Sequence, residues 1–228
     1  MHSAIAFGKR RRGVLAFAVA TRTGFWGWRS RRSFPSASLL KPMLLTAYLR
    51  RPSVRRRRLR HAERALLEPM IRRSSDAAAG AVLSIVGTGG LRALARKAGI
   101  RRFVPVAGVW GESRVDARDQ ARFFLRIDHF LPRRHRHYGM RLLHSIVPSQ
   151  RWGIAQVQPR HWHLYFKGGW GHGNGWVDHQ AALLTRGHRR VGLAIMTHLD
   201  GSHAYGKATL RGLAKRLLGG LSRARVVR

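Results

Sequence analysis

The chain has 228 residues and is 44% hydrophobic, enough to bury a core and too apolar for a disordered polymer. Its 45 Lys and Arg against 9 Asp and Glu leave a formal charge of +36, which favours polyanions such as nucleic acid, anionic membrane surfaces or wall polymers. The absence of cysteine excludes disulfides and thiolate metal sites.

In chain order, Lys9-Arg10-Arg11-Arg12 precedes the apolar stretch Gly13 to Ala20. A basic region before a short apolar run fits a signal peptide, and the same run between turn residues fits a buried strand. The strand is preferred. Thr21 to Gly24 is turn chemistry and Phe25 to Trp28 a second strand, giving a hairpin. Ser38-Leu39-Leu40-Lys41 then opens a helix continued by Met43 to Leu49. Pro42 is tolerable only if that helix begins near Ser38. A serine and a lysine three apart share a helix face. Burial disfavours the charged lysine, and a neutral lysine beside a serine is a base beside a nucleophile.

Arg50 to Arg60 reads as a solvated basic linker, with a nucleic-acid or nuclear-targeting patch as the functional alternative. Ala62 to Ile71 is helical by period. Ser75 or Asp76 is placed to cap a helix running to Val86, Gly87-Thr88-Gly89-Gly90 breaks the chain, and Leu91 to Ala98 stops at Gly99. Phe103 to Ser113 is irregular. Asp116 to Phe130 is a helix ended by Pro132, and His135 to Val147 is another. Trp162 to Phe166 alternates as a strand that ends at Lys167-Gly168-Gly169. Trp176 to Thr185 and Arg190 to Thr197 are two more strands, and Lys207 to Leu221 is an amphipathic helix.

This order predicts an α+β fold, an α/β sandwich: five antiparallel strands drawn from both chain ends, covered by the terminal helix, with an inserted all-helical lobe. The whole chain, 1–228, is taken as a single domain, with the sheet lobe at about 13–37 and 161–221 and the helical lobe at about 38–160. A cleft between the lobes is expected. No apolar run approaches the length of a membrane span. The 13 histidines are scattered; His161 and His163 share a strand face without a third ligand, and no metal or cofactor is expected.

Three short elements stand in order: Ser38-x-x-Lys41, Ser75-Asp76-Ala77 and Lys167-Gly168-Gly169. The order resembles the serine penicillin-recognising enzymes, class A β-lactamases and penicillin-binding peptidases, whose signatures are Ser-x-x-Lys, Ser-Asp-Asn and Lys-Thr-Gly. The nearest likeness is to class-A-like hydrolases of actinobacterial type with a Lys-Gly-Gly-Trp strand. It extends over Gly13 to Leu221, supported by Trp110-Gly111, Asp119 to Phe123, Gln150 to Gly153 and His179 to Leu184.

The resemblance implies roles. Ser38 attacks a carbonyl, Lys41 takes its proton, and Ser75 relays protons to the leaving group. Lys167 holds a substrate carboxylate and keeps Lys41 neutral. The N–H groups of Ser38 and Trp170 form an oxyanion hole, and Asp76, Gly168 and Gly169 contact substrate. It also implies a small-molecule, peptide or ester substrate, a monomer and an extracytoplasmic location, although no clear signal peptide is present. Departures bear on rate. Ala77 stands where asparagine is expected and Gly168 where threonine is. No Glu-x-x-Asn deacylation loop is recognisable, Glu112 being the only acid in Phe103 to Ser113 and wrongly spaced. A poor β-lactamase is therefore expected. The twelve residues before Gly13 are read as too short for the helix that precedes the first strand in this family, which suggests a truncated form. Two other readings stand beside the hydrolase. One is a weak or inactive relative that binds wall polymer or another polyanion. The other is a basic nucleic-acid-binding protein, supported by charge alone, since no helix-turn-helix, zinc or RNA-recognition motif is present.

Overall fold

A computed structural model describes residues 1–173 and 175–223. The chain opens with α1 (His2–Lys9), then β1 (Val14–Ala20), β2 (Phe25–Trp28) and the short β3 (Phe34–Pro35). A 3₁₀ turn at Ala37–Leu40 runs directly into α2 (Lys41–Leu49), followed by α3 (His61–Arg72) and α4 (Asp76–Ala98). Next come β4 (Arg114–Val115), α5 (Ala117–Leu125), α6 (Ile127–Phe130) and α7 (Arg136–His144). The chain returns through β5 (His163–Gly171), β6 (Val177–Arg186) and β7 (Arg189–His198) to α8 (His203–Arg223).

The five long strands form one antiparallel sheet in the order β2-β1-β7-β6-β5. β1 pairs with β7 along its whole length, which joins the two chain ends. That pairing explains Gly13 to Ala20: six of the seven β1 residues are buried, so the run is a core strand. α1 and α8 pack together on the sheet, and α5 packs against β1, β6 and β7. The helical segment is thus not wholly a separate lobe, because α5 covers the sheet. Close approach there requires Gly192, where an added Cβ would lie 2.1 Å from the Ala121 carbonyl oxygen.

Several boundaries differ from the sequence expectation. The residues before Gly13 do form a helix, α1, which packs on α8. The glycine run at 87–90 kinks α4 without ending it. Gly87 alone leaves helical geometry, at φ 65° and ψ 167°, a region open to glycine at little cost. The helix from Asp116 breaks at Arg126 into α5 and α6, and the next helix spans only Arg136–His144. Lys167-Gly168-Gly169 lies inside β5, not at its end, and His161 precedes the strand in a left-handed turn with φ 64°. α4 is long and apolar enough by composition to cross a membrane; here its buried side packs on α2 and α3. The basic linker is a tight turn tied down by Glu63, which accepts two hydrogen bonds from Arg57, at 2.8 and 2.6 Å, and one from the Arg60 N–H at 2.7 Å. Arg57 chiefly holds that carboxyl at a pKa of about 2.

Candidate active site

α2 is a core helix, with all nine of its residues buried. Pro42 falls in its first turn, where the missing N–H has no intrahelical partner to lose. The 3₁₀ turn ahead of it nearly eclipses residues three apart, and the Lys41 N–H donates to the Ser38 carbonyl. Ser38 and Lys41 therefore sit on one side at the start of a buried helix. Ser38 is 7% exposed and Lys41 is fully buried. Ala37, just before the serine, is held at φ 43°, a left-handed conformation that costs a non-glycine residue about 1–2 kcal/mol.

Lys41 Nζ donates to the Ser74 carbonyl at 2.5 Å, the Ser74 hydroxyl at 3.1 Å and Asp76 Oδ1 at 2.6 Å. Three acceptors match the three donors of an ammonium, so the geometry is that of a charged lysine. Burial pushes the Lys41 pKa down, and the Asp76 carboxylate partly offsets this. Lys167, fully buried in β5, donates to the same Ser74 hydroxyl at 3.0 Å and to the Gly168 carbonyl at 2.6 Å. Its pKa is pushed well down, first by burial and then by the Lys41 charge.

The second motif is shifted by one residue. The Ser75 hydroxyl caps α4 by accepting the Ala78 N–H at 3.3 Å, so it points along the helix and bonds neither lysine. Ser74, at φ 59°, turns its hydroxyl and carbonyl inward between Lys41 and Lys167. The triplet in the site is Ser74-Ser75-Asp76, and Asp76, not Ala77, is the residue after the serines that bonds Lys41. Sequence reasoning missed Ser74 although the signal was present. A Ser-Ser-Asp triplet allows two registers, and assigning Ser75 as the helix cap leaves Ser74 as the serine outside the helix.

β5 is a sheet edge and presents its free side to the Ser38 turn. Gly169 makes that approach possible: a Cβ there would lie 2.7 Å from the Leu39 nitrogen and 3.0 Å from the Ser38 nitrogen. At Gly168 a Cβ would lie 3.2 Å from the Trp152 ring, which fills the space a threonine would need. Trp170 packs edge-on against Trp152 and stacks on His203, and His203 is bonded to buried Asp178 at 2.6 Å. An open cleft of about 170 Å³ lies over Ser38. Asp76, Trp110, Glu112 and Trp170 line it, so Glu112 reaches the site despite its spacing. Among the described residues no group of His, Cys, Asp and Glu could hold a metal ion.

The structure resembles solved β-lactamases along nearly its whole length. The enzyme from Sphaerobacter thermophilus DSM 20745 matches at a TM-score of 0.81 with 16% identity, covering 98% of this chain and 97% of that one. The chromosome-encoded β-lactamase of Vibrio parahaemolyticus matches at 0.82 with 14% identity, covering 98% and 99%. A reconstructed Gram-negative ancestral class A enzyme (GNCA4) matches at 0.79 with 18% identity, covering 96% and 98%. At these identities the likeness shows the fold. No curated protein matches the sequence. The model of the beta-lactamase enzyme family matches residues 59–221, beginning after Ser38 and Lys41 and including Ser74, Asp76 and Lys167. With that match covering well over half of its length, the chain belongs to the beta-lactamase enzyme family.

Proposed function

We propose that the protein is a serine hydrolase that forms an acyl-enzyme on Ser38 from an amide or ester. The single observation that carries this reading is the Ser74 hydroxyl held between two buried lysines beside the Ser38 turn. Lys41 first releases a proton to bulk water; Ser38 Oγ then attacks the carbonyl carbon as its proton passes to the neutral lysine, and the bond from that carbon to the leaving group breaks as the Ser38 ester forms. Ser74 links Lys41 and Lys167 and carries a proton toward the leaving group. The N–H groups of Ser38 and Trp170 receive the developing oxyanion. Activation is weak at rest, because the three acceptors around Lys41 favour its charged form. A slow β-lactamase or a peptidase- or esterase-like enzyme follows.

Intact mass after incubation with a reporter penicillin and with a fluorophosphonate, on wild type and Ser38→Ala, tests this reading. An adduct on wild type alone supports it. No adduct from either probe, on protein shown to be folded, refutes it. A second reading, a weak relative that binds anionic wall polymer, is favoured by a separate groove of about 810 Å³. Arg11, Lys207, Arg211 and Lys215 are among the residues that line it.

A further inference from the structure

We infer that the acyl compound taken by this cleft carries a positive charge in place of a carboxylate, and that Asp76 reads it. The inference rests on the acyl-transfer reading only in placing the substrate over Ser38.

The charge of the cleft runs against that of the chain. Of nine acids in a chain with 45 Lys and Arg, two line this one cleft, and its described lining residues include no lysine or arginine. The exposed arginines elsewhere are screened beyond about 8 Å at physiological salt, so the nearest charge decides. Asp76 is the nearest charge that faces the opening, its partner Lys41 being fully buried behind it. One oxygen is fixed 2.6 Å from Lys41, yet the side chain remains 77% exposed, so the carboxylate is both held in place and open to a ligand.

The cations that a substrate carboxylate would need are buried and already hydrogen-bonded. Lys41 and Lys167 are fully buried. Lys41 uses its three donors on Ser74 and Asp76, and Lys167 is bonded to Ser74 and Gly168. Gly168 offers no hydroxyl. An ionised carboxylate at residue 76 accepts hydrogen bonds and donates none. It repels a substrate carboxylate or carbonyl and welcomes an ammonium or an amide N–H. The walls suit a cation too. Lys41 Nζ already lies 4.7 Å from the centre of the Trp110 ring, and Trp170 forms another aromatic wall.

The test uses matched nitrophenyl esters whose acyl chains end in an ammonium, a methyl or a carboxylate. For wild type, kcat/KM should be about 1.4- to fivefold higher for the ammonium than for the methyl ester, the range of a solvent-exposed ion pair. The carboxylate ester should be the poorest. In Asp76→Asn the ammonium-to-methyl ratio should fall to about one, whatever happens to the absolute rates. A wild-type ratio at or below one, or a ratio unchanged in Asp76→Asn, overturns the inference. A binding arm separates this outcome from failure of the hydrolase reading. Calorimetric titration of Ser38→Ala with phenethylammonium and with phenylpropionate should show binding of the cation only, lost on adding Asp76→Asn. If no ester turns over and Ser38 takes no label, the acyl-transfer reading falls, and this titration still decides the charge preference.

Discussion

Replacing Asp76 with asparagine should leave more of Lys41 in the neutral form that can accept a proton. The carboxylate sits 2.6 Å from Lys41 Nζ and stabilises the charged lysine against the pull of burial. At that separation Coulomb attraction is about 1.6 kcal/mol in water and about 6 kcal/mol at an effective dielectric near 20. Asp76 is 77% exposed, so water screens its side of the pair and the lower figure is the guide. About 1.4 kcal/mol corresponds to one pKa unit. The amide should therefore lower the Lys41 pKa further, while its oxygen keeps a hydrogen bond to the ammonium. Where Lys41 is mostly protonated, each unit raises the neutral fraction about tenfold. The assay is the rate of Ser38 labelling by an uncharged fluorophosphonate across pH, read by intact mass. The acidic limb of the profile should move to lower pH, with up to about tenfold faster labelling on that limb. An unmoved limb, or slower labelling at every pH in a variant with an unchanged melting curve, would refute the reasoning.

The two serines of the second motif should separate cleanly. Ser74→Ala removes the hydroxyl shared by the lysines and should cut acylation by about 10²-fold or more. Ser75→Ala should leave the rate nearly intact and cost about 1 kcal/mol of stability through the lost cap; labelling kinetics and melting curves on both variants check this. Gly169→Ala forces a methyl within 3.0 Å of the Ser38 and Leu39 nitrogens, so labelling should fall sharply while circular dichroism keeps the wild-type spectrum. Asp178 offers a pH test. Burial, and then the Asp200 charge, push its pKa up to about 8 from 3.8, so between those values the folded state keeps a proton that the unfolded chain gives up. Stability due to this group is present below about pH 4 and declines as pH rises toward about 8. Asp178→Asn should raise the melting temperature at pH 7 by a few degrees and much less at pH 4, and equal shifts at both would contradict the assignment.

Strand and helix content was legible in the sequence because burial imposes period on it. Gly13 to Ala20 reads as a core strand and Leu210 to Leu221 as an apolar helix stripe without any tertiary knowledge. The order of elements pointed to a sheet built from both chain ends, and the structure closes it by pairing β1 with β7. Local chemistry reached further than it was followed at Ser74-Ser75-Asp76, where the helix-capping preference already separates the capping serine from the one outside the helix.

Other features depended on groups far apart in the chain. That the glycines at 87–90 kink α4 and do not end it follows from packing on α2 and α3. That Gly168 can lack a side chain follows from Trp152 filling the space. Glu112 enters the cleft because the irregular segment before β4 folds over Ser38, a placement no spacing rule encodes. The charge of the site shows the division most plainly. Composition determined that the molecule as a whole is strongly basic. Only the tertiary structure decided that its two central lysines are buried and hydrogen-bonded while Asp76 faces the opening. Net charge is a sum over the whole chain, whereas the field at a reacting atom falls off with distance and is screened by water.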